Sequence, residues 1–174
     1  MIKLLTPDVY VKSIYHIDLD MFKKKGIIAI IADLDNTLAA WDDPLPGQKL
    51  VEWLAQVRDQ GFKVFIVSNN KKSRVDKFAE ALGVPAIPKA IKPRRGAFRL
   101  ALETMGVTPE QAAVVGDQIF TDVLGGNRLG LFTILVIPVS GKEFFGTKFV
   151  RAIERMVLRR LKLVGLTESP DDPE

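Results

Sequence analysis

Short unbroken apolar runs alternate with stretches in which apolar residues recur every three or four positions, and the two patterns take turns along most of the chain. The run Gly26-Ile-Ile-Ala-Ile-Ile-Ala-Asp33 has no polar interruption, which predicts a central strand covered on both faces. Leu50, Trp53, Leu54 and Val57 then share one helical face within 50–60, and Gly61 stops that helix. Residues 62–67 read as a second strand ending at Ser68. A helix over 72–82 is closed by Gly83, and Ala86 with Ile87 marks a short third strand. Pro93 opens the next helix, where its missing N–H costs nothing, and Gly106 ends it. Thr108-Pro109-Glu110 makes a brief turn before a fourth strand at 112–115, and 131–137 makes a fifth. Strands alternating with helices predict an α/β protein, with a Rossmann-like parallel sheet of about five strands and helices on both faces.

Composition narrows this picture. With 174 residues, 47% hydrophobic and 26% charged, the chain has the balance of a globular protein and the length of one domain. We expect that domain to run from 1 to 166, followed by a disordered acidic tail at 167–174 that holds two prolines and Glu168, Asp171, Asp172 and Glu174. The chain has no cysteine, which excludes disulfides and thiolate metal sites. Pro7 and Asp8 interrupt the N-terminus before a secretory apolar segment can form. The longest apolar stretch, 129–139, falls well short of the roughly 20 residues of a spanning helix. A cytoplasmic location without a transmembrane segment is therefore expected. Net charge is +4, and because the tail is acidic the body is more basic still, which suits an anionic partner.

The polar residues that matter sit just past the carboxyl ends of the expected strands, where open α/β sheets bind ligands. Asp33-Leu-Asp35-Asn36-Thr37 follows the central strand. Two carboxylates so close repel unless a cation lies between them, and oxygen ligands of this kind favour Mg²⁺; the alternative is a turn whose Asp and Asn cap the next helix. Ser68-Asn69-Asn70 ends the second strand and offers a hydroxyl and N–H groups to phosphate oxygens, or simply caps a helix. Lys92 precedes a helix at Pro93, a place where most lysines are only solvated. Asp117 in Gly116-Asp117-Gln-Ile-Phe-Thr121-Asp122 ends a strand, where a buried carboxylate needs a partner.

Each signal is modest, but their order and spacing resemble the four motifs of the haloacid dehalogenase superfamily. The resemblance covers about residues 26–137. More closely, Asp33-Leu-Asp-Asn-Thr-Leu38, Ser68-Asn-Asn70 and Gly116-Asp-Gln-Ile-Phe-Thr-Asp122 resemble the YqeG group of subfamily IIIA, which is related to the phosphatidylglycerophosphate phosphatases. That resemblance implies a Mg²⁺-dependent phosphomonoester hydrolase. Asp33 would attack phosphorus, and Asp35 would serve as acid and base while its backbone carbonyl binds the metal. Asp117 would complete the metal ligands, and Asp122 would support the site from the metal shell or by holding Lys92. Ser68 and the Asn69 N–H would bind phosphoryl oxygens, with Lys92 offsetting charge on nucleophile and phosphate. A carboxylate at Asp35 favours hydrolysis of the intermediate.

Superfamily members often carry a cap domain after the first or second motif. The intervals from Asp35 to Ser68 and from Ser68 to Lys92 are each filled by ordinary elements, so a capless, open site is expected. Trp41, in the loop beyond the nucleophile, either forms a flap or packs on its own domain. At the C-terminus, Lys148, Arg151, Arg155, Arg159 and Lys162 form one helical stripe opposite Phe149, Ile153, Met156, Val157, Leu161 and Val164. It is either the solvated face of a docked helix or a peripheral contact with anionic lipid, and Arg160 interrupts its apolar side. Phosphatidylglycerophosphate is the expected substrate; a soluble sugar or nucleotide phosphate is the alternative, and a non-catalytic binder of a phosphorylated partner is a third. Nucleic acid is not an expected partner, and an oligomer remains open. His16, the only histidine, reads as structural.

Overall fold

The computed structural model describes residues 2–140. The basic stripe from Lys148 to Lys162 and the acidic tail lie outside the described residues. In chain order the elements are β1 (Val9–Val11), α1 (Leu19–Lys24), β2 (Ala29–Ala32), α2 (Gln48–Asp59), β3 (Lys63–Val67), α3 (Lys72–Leu82), β4 (Ala86–Ile87), α4 (Arg95–Met105), β5 (Ala112–Gly116), α5 (Leu124–Asn127) and β6 (Phe132–Val136). The six strands form one parallel sheet in the order β1-β6-β5-β2-β3-β4. This is the expected Rossmann-like arrangement with one strand more.

The added strand, β1, is three half-buried residues at the sheet edge beside β6, too short to show a period of its own. Asp8 anchors it: the Thr133 N–H donates to Asp8 Oδ2 at 2.7 Å, and the Asp8 N–H donates to the Thr133 carbonyl at 2.9 Å.

The apolar run of β2 is buried at every position because both sheet faces are covered. Its side chains alternate between two cores. Ile30 and Ala32 join Phe22, Leu54, Val57, Val75 and Phe78 from α1, α2 and α3, whereas Ala29 and Ile31 join Phe98, Ala101 and Leu102 of α4. Phe22 meets Phe62 and Phe132 edge-to-face, with ring centroids 6.0 Å apart in each pair. Helices α3 and α4 end at Gly83 and Gly106, with φ of 61° and 65°, the left-handed conformation that glycine adopts without a Cβ penalty.

Strand β2 lies between β3 and β5, and the chain crosses from one side of β2 to the other after β4. The strand order reverses there, so the residues following β2 and β5 are neighbours at the mouth of a crevice. Between β2 and β3 the chain holds one loop and α2, and between β3 and β4 only α3 with its short connections. Among the described residues no helix is long and apolar enough to cross a membrane.

Candidate active site

The chain leaves β2 in a tight turn. The N–H groups of Thr37, Leu38 and Ala39 all donate to the Leu34 carbonyl, at 3.3, 3.0 and 3.2 Å, and Asn36 takes a left-handed φ of 61°, which asparagine tolerates. This turn brings Asp33 into the crevice, buried, and folds Thr37 back so that its hydroxyl donates to Asp117 Oδ1 at 3.2 Å.

Lys92 arrives from the opposite wall on a loop stitched to the end of β3. The Ala90 N–H donates to the Ser68 carbonyl and the Lys89 N–H to the Asn70 carbonyl, both at 3.0 Å. The Asn69 side chain grips the lysine's own backbone, Oδ1 accepting from the Lys92 N–H at 2.7 Å and Nδ2 donating to the Lys92 carbonyl at 3.4 Å. Lys89 and Ile91 are held at φ of 50° and 56°. That is costly for a β-branched residue, and it persists because these hydrogen bonds determine the loop. The result is a buried ammonium, with Lys92 Nζ 2.6 Å from Asp33 Oδ1 and 2.7 Å from Asp122 Oδ1.

Asp122 reaches that position through an irregular turn. Residues Ile119–Val123 form a π-helical turn that leads into α5, a widening that recurs at functional sites. Asp122 Oδ2 accepts from the Gln118 N–H at 3.3 Å and the Thr121 hydroxyl at 3.2 Å. Gly116 makes room, since a Cβ there would lie 2.2 Å from Asp122 Cγ.

Asp33, Asp117 and Asp122 each present a carboxylate oxygen, and the three oxygens lie within 4.8 Å of one another. With all three ionised, the buried carboxylates outweigh the one buried ammonium by two negative charges. The protein alone does not resolve that excess. Burial pushes the Asp33 carboxyl up to about 8; Lys92 opposes the rise, and Asp122 and Asp117 add to it. Burial works against the Lys92 ammonium, but Asp122 and Asp33 outweigh it and hold the group above the ordinary lysine range. A divalent cation matches both the charge excess and the all-oxygen donor set.

Asp35 faces the other way. Its Oδ1 receives Arg74 Nε at 2.7 Å and its Oδ2 receives Asn70 Nδ2 at 2.8 Å, so its carboxylate is not one of the clustered three. The Arg74 guanidinium also donates to the Ala40 carbonyl at 2.8 Å and to the Asp43 carbonyl, and it lies over the Phe78 ring. Ser68 is buried, and its Oγ accepts from the Asn70 N–H at 3.1 Å. Asp33, Asp35, Ser68, Asn69 and Lys92 open into one cleft of about 810 Å³, which is also lined by Trp41 and Pro44 and by Lys71, Ser73, Arg74 and Lys77 of the α3 region. Trp41 is 40% exposed and lines this cleft. His16 lies elsewhere, its Nδ1 2.8 Å from Ser13 Oγ in a short 3-10 turn.

The structure thus brings Asp33, Asp35, Ser68, Asn69, Lys92, Asp117 and Asp122 to one end of the sheet. Arg74 and Asn70 join them as partners of Asp35, and Gly116 as the gap that admits Asp122. Motif spacing does not mark Arg74, which is one cation among several in a helical stretch; only its helical position facing the Asp35 turn singles it out.

Comparison with known proteins agrees with this arrangement. Residues 4–130 match the family described as haloacid dehalogenase-like hydrolase. A protein of Bacillus subtilis strain 168 named probable phosphatase YqeG is 47% identical over 163 residues, covering 94% of this chain and 95% of that protein. Phosphatidylglycerophosphate phosphatase 1 of Arabidopsis thaliana is 29% identical over 94% of this chain, which spans half of that longer protein. The cobalt-bound deoxy-D-mannose-octulosonate 8-phosphate phosphatase of Haemophilus influenzae shares the fold, with a TM-score of 0.51 at 17% identity over 79% of this chain and 90% of that one. From its sheet, its clustered carboxylates and these likenesses, the chain belongs to the haloacid dehalogenase-like hydrolase family, within the group of phosphatases that includes YqeG.

Proposed function

We propose that this hydrolase cleaves phosphate monoesters with Mg²⁺, using Asp33 as a covalent nucleophile. The observation that carries the reading is Lys92 Nζ bridging Asp33 and Asp122 beside Asp117, with Asp35 held separately by Arg74 and Asn70. Simple anion binding has no use for a second carboxylate poised apart from the first. The carboxylates of Asp33 and Asp117 and the backbone carbonyl of Asp35 would hold the ion, which when bound offsets charge on the phosphoryl oxygens and on the nucleophile.

Asp33 attacks phosphorus while the bond to the ester oxygen breaks, and Asp35 gives that oxygen a proton as it leaves. The Ser68 hydroxyl, the Asn69 N–H and Lys92 hold the phosphoryl oxygens in line. Water then attacks the aspartyl-phosphate, Asp35 takes its proton, and the phosphorus–Asp33 bond breaks to release phosphate. To do either job Asp35 exchanges one of its present bonds, to Arg74 or Asn70, for the reacting oxygen.

Phosphatidylglycerophosphate is the substrate we favour. The Arabidopsis relative's name supports this choice, as does the lack, among the described residues, of an inserted domain between β2 and β4. The test is turnover of phosphatidylglycerophosphate in mixed micelles. EDTA should abolish it, Mg²⁺ should restore it, and Asp33→Asn should lower it on the order of 10⁴-fold or more. Turnover that persists in EDTA, or in Asp33→Asn, would overturn the mechanism; turnover of soluble phosphates alone would overturn the lipid substrate.

A further inference from the structure

Three cations from the α3 region line the cleft that holds Asp35. Lys71, at the N-cap of α3, and Arg74 and Lys77 within it are spaced three apart and line one cleft with Asp33 and Asp35. Their charges are in different states. Arg74 is engaged by Asp35 and by the carbonyls of Ala40 and Asp43. Lys72, which does not line the cleft, pairs with Asp76. Lys71 and Lys77 form no ion pair among the described residues.

The direction of the substrate follows from the same geometry. The phosphoryl group is held at Asp33, Ser68 and Lys92, and the leaving oxygen meets Asp35. The rest of the leaving group therefore extends past Asp35, toward the residues that hold Asp35. Asp35 is held by Asn70, next to Lys71 in the chain, and by Arg74, which lies between Lys71 and Lys77, and both lysines line the same cleft as Trp41 and Pro44. We propose that Lys71 and Lys77 form a subsite for a second anionic group on the leaving side of the substrate. This rests on the phosphatase reading and narrows it to monoesters whose alcohol carries its own negative charge, such as a phosphodiester one short polyol away. Two exposed ammonium groups suit such a ligand because they attract it without the desolvation cost of a buried pair.

The experiment compares kcat/KM for phosphatidylglycerophosphate in mixed micelles, for its soluble deacylated form, and for p-nitrophenyl phosphate, whose leaving group has no second phosphate. In the double variant Lys71→Gln/Lys77→Gln, the preference for the deacylated diester-bearing substrate over p-nitrophenyl phosphate should fall about tenfold. The fall should shrink as salt rises, because the lysines are exposed and screened over about 8 Å at physiological ionic strength. Lys72→Gln should leave the preference where it was. An equal loss on both soluble substrates, or no loss, overturns the subsite. A selective loss confined to micelles also overturns it, since the lysines would then be reading the lipid surface. A wild-type protein inactive toward all three substrates overturns the phosphatase reading itself, an outcome distinct from the others.

Discussion

Asp35 is gripped on both carboxylate oxygens, and Arg74 also holds the carbonyls of Ala40 and Asp43, so one side chain sets both the proposed acid/base residue and the loop bearing Trp41. Arg74→Met keeps a long side chain over Phe78 but leaves Asp35 attached through Asn70 alone. A misplacement of about 1 Å costs roughly 100-fold in rate, so kcat should fall by about that factor, with a smaller change in KM. Arg74→Lys should recover only part of the loss, because an ammonium cannot reproduce the planar fork that reaches three acceptors. Steady-state kinetics of both variants test this, and a rise in KM with kcat intact would count against the positioning role. At this scale the sequence is legible where chemistry attaches to strand ends. Asp33, Ser68 and Asp117 are marked by their place after apolar runs, and Lys92 only by its order among the motifs. Arg74 is not so marked, and Asn70 is marked only as part of the triplet after β3, because their contacts with Asp35 cross 39 and 35 positions and depend on how α3 sits against the turn after β2. The Asn69 side chain is a similar case, committed to the Lys92 backbone across 23 positions.

Among the elements, the turn between β5 and α5 does most to place the charges, and it offers the least periodicity to read. Residues 117–128 combine a π-helical turn, two glycines and a four-residue helix, so no apolar period of 2 or 3.6 can establish itself. Strands β2, β3 and β5 and helices α2, α3 and α4 are legible for the opposite reason, being long enough to repeat and bounded by Gly61, Gly83 and Gly106. The edge strand β1 and the six-residue α1 are too short. Two glycine substitutions separate the scaffold in this turn from the site. A Cβ on Gly126 would lie 2.3 Å from Val114 Cγ1 and 2.9 Å from Thr133 Cγ2, inside the packing of α5 on the sheet. Gly126→Ala should cost about 1–3 kcal/mol, with the folded fraction still active. A Cβ on Gly116 would instead meet the Asp122 carboxyl at 2.2 Å and push it off Lys92. Gly116→Ala should therefore lose at least about tenfold in kcat/KM as well as stability, since the ammonium loses one of its two anchors. Denaturant melts and kinetics on both proteins decide this, and comparable kinetic losses would remove the distinction.

For the molecule as a whole, the site sets a balance between folding and metal. Past the end of β2 the buried carboxylates of Asp33, Asp117 and Asp122, when all are ionised, outweigh Lys92 by two charges. Burial is the main cause of the raised Asp33 carboxyl, and Asp122 and Asp117 add to it against Lys92. The unfolded chain separates these carboxylates and hydrates them, so the repulsion belongs to the folded state alone. A divalent cation bound at this cluster is then a ligand of the native state, and at about 100 times its dissociation constant it adds about 2.7 kcal/mol of stability. In a protein of this size that corresponds to a rise of about 5–10 °C in melting temperature on adding Mg²⁺ after EDTA treatment. Asp117→Asn tests the origin of the effect without relying on turnover. The amide keeps an oxygen for the Thr37 hydroxyl but removes one repelling charge and one proposed metal ligand. The variant should melt no lower than wild type in EDTA, and should gain little or nothing from Mg²⁺. Thermal unfolding of both proteins with and without Mg²⁺ reads the two curves directly. If wild type and Asp117→Asn rise together with Mg²⁺, the ion is binding elsewhere, and the clustered carboxylates are not its site.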